Sequence, residues 1–189
     1  EEAIFRGEGH VVAGGAMAYS VTRRVSYQGT AHQQTGTWIG IEGSVRLGRV
    51  EIGATGLFGK VAGDSSPSTN PDLNVRVSDV WARLRAGPWI DVGLNAEARR
   101  QEADVGVTSW RLVGPTLRLT PGLGLGGLAG SVEMTYFVSA SVTGGGESIS
   151  PALRATLGAT YAPPPGRIEY DVSYRFERFD FAASGGNPA

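Results

Sequence analysis

Two runs of alternating side chains joined by a two-residue connection constrain this chain more than anything else in it. From residue 35 to 47 the odd positions are Thr35, Thr37, Ile39, Ile41, Gly43, Val45 and Leu47, while the even ones are Gly36, Trp38, Gly40, Glu42, Ser44 and Arg46. A period of two belongs to a strand with one apolar face. After Gly48-Arg49 the parity flips, and Val50, Ile52, Ala54, Gly56 and Phe58 continue the apolar set opposite Glu51, Gly53, Thr55 and Leu57. A Gly-X pair suits a type II′ hairpin, which keeps both apolar sets on one side of a sheet.

The pattern recurs along the chain. Alternating stretches cover 11–27, with Met17, Tyr19 and Val21 on the apolar side, then 73–86, 90–98, 110–119, 128–142, 153–161 and 168–176. The apolar parity changes within 73–86, which predicts a bulge near Ser78-Asp79. Pro115 has no ladder donor, so pairing is expected to be disturbed there. Tight turns are read at Gly48-Arg49, Gly87-Pro88, Thr120-Pro121-Gly122 and 163–166, and longer polar connections at 28–35, 63–72, 101–106 and 144–150. That alternation of short and long links describes an antiparallel up-and-down meander of nine strands and no helix. Residues 1–9 read as a tail or short strand, 10–181 as the barrel, and 182–189 as a flexible tail.

Alternation alone does not say which face meets which solvent. The polar face of these strands alternates charges with Gly, Ala, Ser and Thr, which suits a narrow lumen better than a water-washed surface. The apolar face has few interruptions. On this reading the lipid-facing residues are Met17, Tyr19, Ile39, Ile41, Ile52, Val92, Leu94, Val132, Met134, Leu157, Val172 and Tyr174. Aromatic residues stand near its margins, Tyr27 and Phe58 by the loops and Trp89, Tyr161 and Tyr170 by the turns, as expected of an interfacial girdle. A net charge of −1 gives no basic surface for nucleic acid, and the absence of cysteine excludes disulfides and zinc-thiolate sites.

With its meander, its short-turn and long-loop asymmetry and its closing stretch YDVSYRFERFDF, the chain resembles the small bacterial outer-membrane β-barrel proteins. The resemblance implies a transmembrane all-β barrel of 8–10 strands in the outer membrane of a Gram-negative cell envelope, porin-like in form and in contact with membrane lipids and other envelope proteins. Single-chain bacterial barrels have even strand numbers. Ten is therefore the best even count, reached if residues 3–8 supply a short tenth strand; a hairpin divided differently would also restore an even number.

Inside such a barrel the mid-height charges are Glu42, Glu97, Arg111, Glu133, Arg154 and Arg175, and buried charges persist only when paired. A carboxylate-guanidinium network is expected, acting as a structural plug or as the lining of a small pore. A second set, Arg46, Glu51, Arg83, Arg85, Asp91, Arg118, Arg167, Glu169 and Asp171, is expected at the turn-end rim. No cofactor, metal site or catalysis is indicated, since no metal-ligand or phosphate-loop spacing occurs. Two alternatives accompany this reading. One is a soluble barrel of lipocalin or avidin type binding a small apolar ligand, to which Thr35-Gly36-Thr37-Trp38 is similar. The other is an outer-membrane hydrolase using loop His32 with Asp64, Asp72 or Ser65.

Overall fold

The computed structural model describes residues 10–27, 30–63, 72–104, 106–123, 126–143, 147–149, 152–163, 168–179 and 181–183. Every regular element among them is a strand: β1 (His10–Tyr27), β2 (Thr30–Leu47), β3 (Val50–Gly63), β4 (Leu73–Arg85), β5 (Ile90–Ala103), β6 (Gly106–Leu119), β7 (Leu128–Phe137), β8 (Ser139–Thr143), β9 (Glu147–Ile149), β10 (Ala152–Tyr161), β11 (Tyr170–Arg178) and β12 (Phe181–Ala183). The hydrogen-bonded path runs β1-β2-β3-β4-β5-β6-β7-β10-β11, antiparallel throughout, and curls into a half-barrel. β8 prolongs β7 along β6, and β9 and β12 pair separately. Nine strands thus succeed one another, so β1 and β11 run parallel, and among the described residues no ladder joins them.

The opening hairpin forms as its sequence predicts, with Leu47 opposite Val50 and Gly48 at a φ of 60°. Elsewhere the connections are shorter than their polarity suggests. Only two residues separate Tyr27 from Thr30, so Thr30 to Thr35 belong to a strand. The β6–β7 hairpin extends past Thr120 to a bridge between Gly122 and Ala129. Residues 3–8, the expected tenth strand, lie outside the described residues, as do 184–189; Ala182 and Ala183 form part of β12.

The bulge expected at Ser78-Asp79 is absent, because the β3–β4 register runs unbroken from Val50↔Leu84 to Val61↔Leu73. What changes there is the surroundings. Toward the tight turns the outward residues are apolar (Val80, Ala82, Leu84), and toward the other end the inward ones are (Val75, Val77). The true bulge is at Val138, opposite Gly114-Pro115: the ladder passes from Thr116↔Thr135 to Val113↔Ser139, three residues facing two. Pro115 offers no amide proton, and the backbone N–H of Val138 donates instead to the carbonyl of Val113 at 3.0 Å.

The same inversion of polarity holds across the sheet. In the turn-side half Ile41, Ile52, Leu94, Met134 and Leu157 point outward and are exposed, over an interior of Glu51, Asp91, Asn95, Thr116 and Thr135. In the other half Thr35, Lys60, Arg76 and Arg100 are outside, while Trp38, Leu57, Val61, Val75 and Val77 form one interior cluster and Trp110, Leu112, Phe137 and Ala152 another.

The curl brings inward aromatics over inward glycines on the neighbouring strand. Trp81 lies across Gly53, its ladder partner, and Trp38 across Gly59; a β-carbon at either glycine would collide with the indole. Gly56 points outward into open space. Gly53→Val is expected to displace Trp81 and cost about 1–3 kcal/mol in urea unfolding. Gly56→Ala should shift stability by no more than about 1 kcal/mol in the same measurement.

Candidate functional site: a buried guanidinium-carboxylate centre

The interior is crossed at mid-height by a cluster of ionised side chains from four strands. β4 and β5 align Asp79 directly opposite Glu97 on the concave face. Two carboxylates at such a distance repel unless a cation bridges them. Arg154 of β10 supplies it, with Nη1 2.7 Å from Asp79 Oδ2 and Nη2 on Glu97 Oε2. Its Nε donates to Glu177 Oε1 at 3.1 Å, on the adjoining strand β11. Glu177 also accepts from Arg99 at 2.7 Å, and Arg99 Nε donates to Glu97 at 2.9 Å. Two guanidiniums and three carboxylates thus form a closed set. Arg154 is 2 % exposed and Glu97 fully enclosed.

Aromatic rings close the centre on the loop side. Arg99 lies over the rings of Trp38, Trp110 and Phe179 at 5.5, 5.9 and 5.0 Å, and Arg154 over Phe137 at 5.1 Å. Cation-π attraction strengthens when water is excluded. On the turn side Arg83, over Trp81, bonds Glu133 at 2.6 Å, and Thr135 Oγ1 donates to Thr116 Oγ1 at 3.0 Å. Farther out, Arg46 pairs with Glu51, and Arg85 with Asp91 at 3.1 Å.

Of the six residues expected in the lumen, the structure brings Glu97 and Arg154 together and gives Glu133 to Arg83. Glu42 shares the inward face of β2 but remains exposed, and Arg175 lies over Tyr19 at 5.4 Å. Arg111 does not belong: buried Trp110 and Leu112 flank it, and it points outward, exposed, opposite Ala98. Asp79, Arg99 and Glu177 were not in the expected set. Two were within reach of simple parity, since Arg99 follows Glu97 and Glu177 follows Arg175 on the same face, whereas Asp79 was hidden by the bulge assigned beside it.

Among the twelve residues read as lipid-facing, ten point outward, including Ile41, Val92 and Val132 at 70, 40 and 37 % exposure. Met17 and Tyr19 point inward. Their ladder partners are Gly40 and Trp38, and both pack on the interior cluster around Trp38, while the outer side of β1 carries the smaller Gly14, Ala16 and Ala18. Size, not polarity, assigns that strand's faces. Phe58, Trp89, Tyr161 and Tyr170 are exposed, joined by Tyr136 and Phe176; the side chain of Tyr27 lies outside the described residues.

His32 stands in strand β2 opposite Val25, not in a loop. Asp72 pairs with Lys60 at 3.3 Å, and Asp64 and Ser65 lie outside the described residues. Among the described residues no group of His, Asp and Glu is arranged to hold a metal ion. No family model, curated protein or solved structure matches this chain.

Removing Arg154 leaves Asp79 and Glu97 buried face to face. Arg154→Ala is expected to lower unfolding free energy by about 3–5 kcal/mol, whereas Arg111→Ala on the outer wall should change it by less than about 0.5 kcal/mol. Equilibrium urea unfolding of the two variants checks both.

Proposed function

We propose that the chain is an outer-membrane β-barrel protein whose lumen is plugged by the Arg154 centre, serving as a structural or assembly component of the envelope without catalysis. The observation that carries this reading is the inversion of polarity along the strands. An apolar exterior continuous over many strands exceeds what a soluble monomer leaves in water, and hydrocarbon accounts for it. The polar exterior beyond, with Lys60, Arg76 and Arg100, suits strands that project past the bilayer into water. An ionised interior beneath an apolar wall is the arrangement membrane barrels use.

The soluble-barrel alternative needs the long apolar face to line a pocket, and Ile41, Val92 and Val132 point away from the interior. The centre's closed pairing supports a plug over an open pore.

Because the chain has no cysteine, single-cysteine spin labels can be placed at will. After reconstitution in vesicles, labels at Ile41→Cys, Val92→Cys and Leu157→Cys are expected to collide preferentially with dissolved oxygen, and one at Arg76→Cys with a water-soluble relaxant. Equal access of the water-soluble relaxant at all four positions, or a clean monomer in plain buffer, would overturn the membrane reading. In planar bilayers the protein is expected to be electrically silent; unitary conductance steps would favour a pore.

A further inference from the structure

On the loop side of the ionic centre the interior holds a cavity of about 940 Å³. One wall is apolar, built from Trp38, Leu57, Val61, Val75 and Trp110. The other is made of consecutive residues, 19–24 of β1, 173–178 of β11 and Phe179 just beyond it. A strand face contributes alternate residues to a cavity, so an unbroken run marks a strand edge. β1 and β11 are the two strands at which the hydrogen-bonded path ends, which puts the cavity at the seam between the ends of the curled sheet.

The charge around this space is unbalanced. The Arg23 and Arg175 guanidiniums, on the inward faces of β1 and β11, line it, and its one lining carboxylate among the described residues, Glu177, is already shared by Arg99 and Arg154. The Arg23 guanidinium donates only to neutral amide oxygens among the bonds described, Gln101 Oε1 at 3.0 Å and Gln34 Oε1 at 3.5 Å. The Arg175 guanidinium lies over the Tyr19 ring, and among the described residues its buried Nε has no hydrogen-bond partner. Among the bonds described neither guanidinium donates to a carboxylate, so both have donors free to meet an anionic head.

We propose that this cavity is a binding site for a single-chain amphiphilic anion, its carboxylate or phosphate head meeting Arg23 and Arg175 and its apolar chain lying against Trp38, Leu57, Val61 and Val75. The volume falls in the range of small-molecule pockets, and the lining divides evenly between apolar and polar side chains, which suits an amphiphile. A neutral apolar ligand would leave the guanidiniums uncompensated, and a small inorganic anion would leave the apolar wall unfilled. The site goes beyond the membrane reading and does not depend on it, since Arg23, Arg175, Trp38, Leu57, Val61 and Val75 are on inward faces whatever surrounds the sheet.

Tryptophan fluorescence tests the proposal directly. Trp81→Phe/Trp89→Phe leaves Trp38 and Trp110, both on the cavity wall, as the only reporters. In that background, 11-bromoundecanoate or an 11-bromoundecyl phosphate is expected to quench saturably, at least about tenfold more tightly than 11-bromoundecanol. Adding Arg23→Gln/Arg175→Gln should abolish that preference, Arg23→Lys/Arg175→Lys should retain part of it, and Arg76→Gln/Arg111→Gln on the outer wall should leave it intact. Equal half-saturation for the alcohol and both anions, or tight anion binding that survives in the glutamine variant, would overturn the site. Neither result bears on the spin-label measurement, so the two readings fail separately.

Discussion

The Arg154 guanidinium is the interaction on which the shape depends. It stands on β10 and reaches carboxylates on its neighbour β11 and on β4 and β5, which lie well away in the order of the sheet. Backbone ladders join only neighbours and fix a local twist; they do not by themselves determine how far a sheet curls. Arg154, with Arg99 bonding Glu177, Arg83 bonding Glu133 and Arg23 bonding Gln101, ties distant strands through the interior. Each link is strong only because water is excluded around it, and the enclosing rings of Phe137, Trp38 and Trp110 supply that exclusion. Curl, aromatic enclosure and ionic pairing therefore reinforce one another.

Glycine makes this enclosure possible at close range. Indoles as large as those of Trp38 and Trp81 fit inside a strongly curled sheet because Gly59 and Gly53 lie opposite them with no side chain. The abundance of glycine in the chain, 29 residues, has at least part of its cause here, in space ceded to neighbouring rings more than in turns.

Much of this was legible in the sequence, and the failures have a common origin. Period-two alternation located the strands, and in β2, β3, β5, β7, β10 and β11 it also assigned the outward set, because in the turn-side half outward means apolar. It misled wherever that rule reverses. In β4 the apolar set moves from the inner to the outer face at Ser78-Asp79 with no change in backbone register, and in a sequence such a change of face looks like a bulge. Thr30 to Thr35, polar on both faces, looked like a loop because a strand beyond the apolar band need not alternate. In β1 the larger residues Met17 and Tyr19 belong inside, where Gly40 leaves room, and small residues form the wall. The Val138 bulge was half visible, since Pro115 signalled a fault in pairing, but which strand would carry the extra residue depends on a neighbour that sequence order does not identify. The ionic centre was legible only in part, because its members meet across the interior and not along any one strand.

Among the described residues the path from β1 to β11 crosses an odd number of times, which has a topological consequence. A meander that begins at the tight-turn rim with His10 and crosses nine times leaves β11 at the opposite rim, so the two ends of the sheet exit on different sides. An even-stranded ring returns both of its ends to one side. His10 and Arg178 therefore stand at opposite poles, and the chain enters the sheet at one and leaves it at the other.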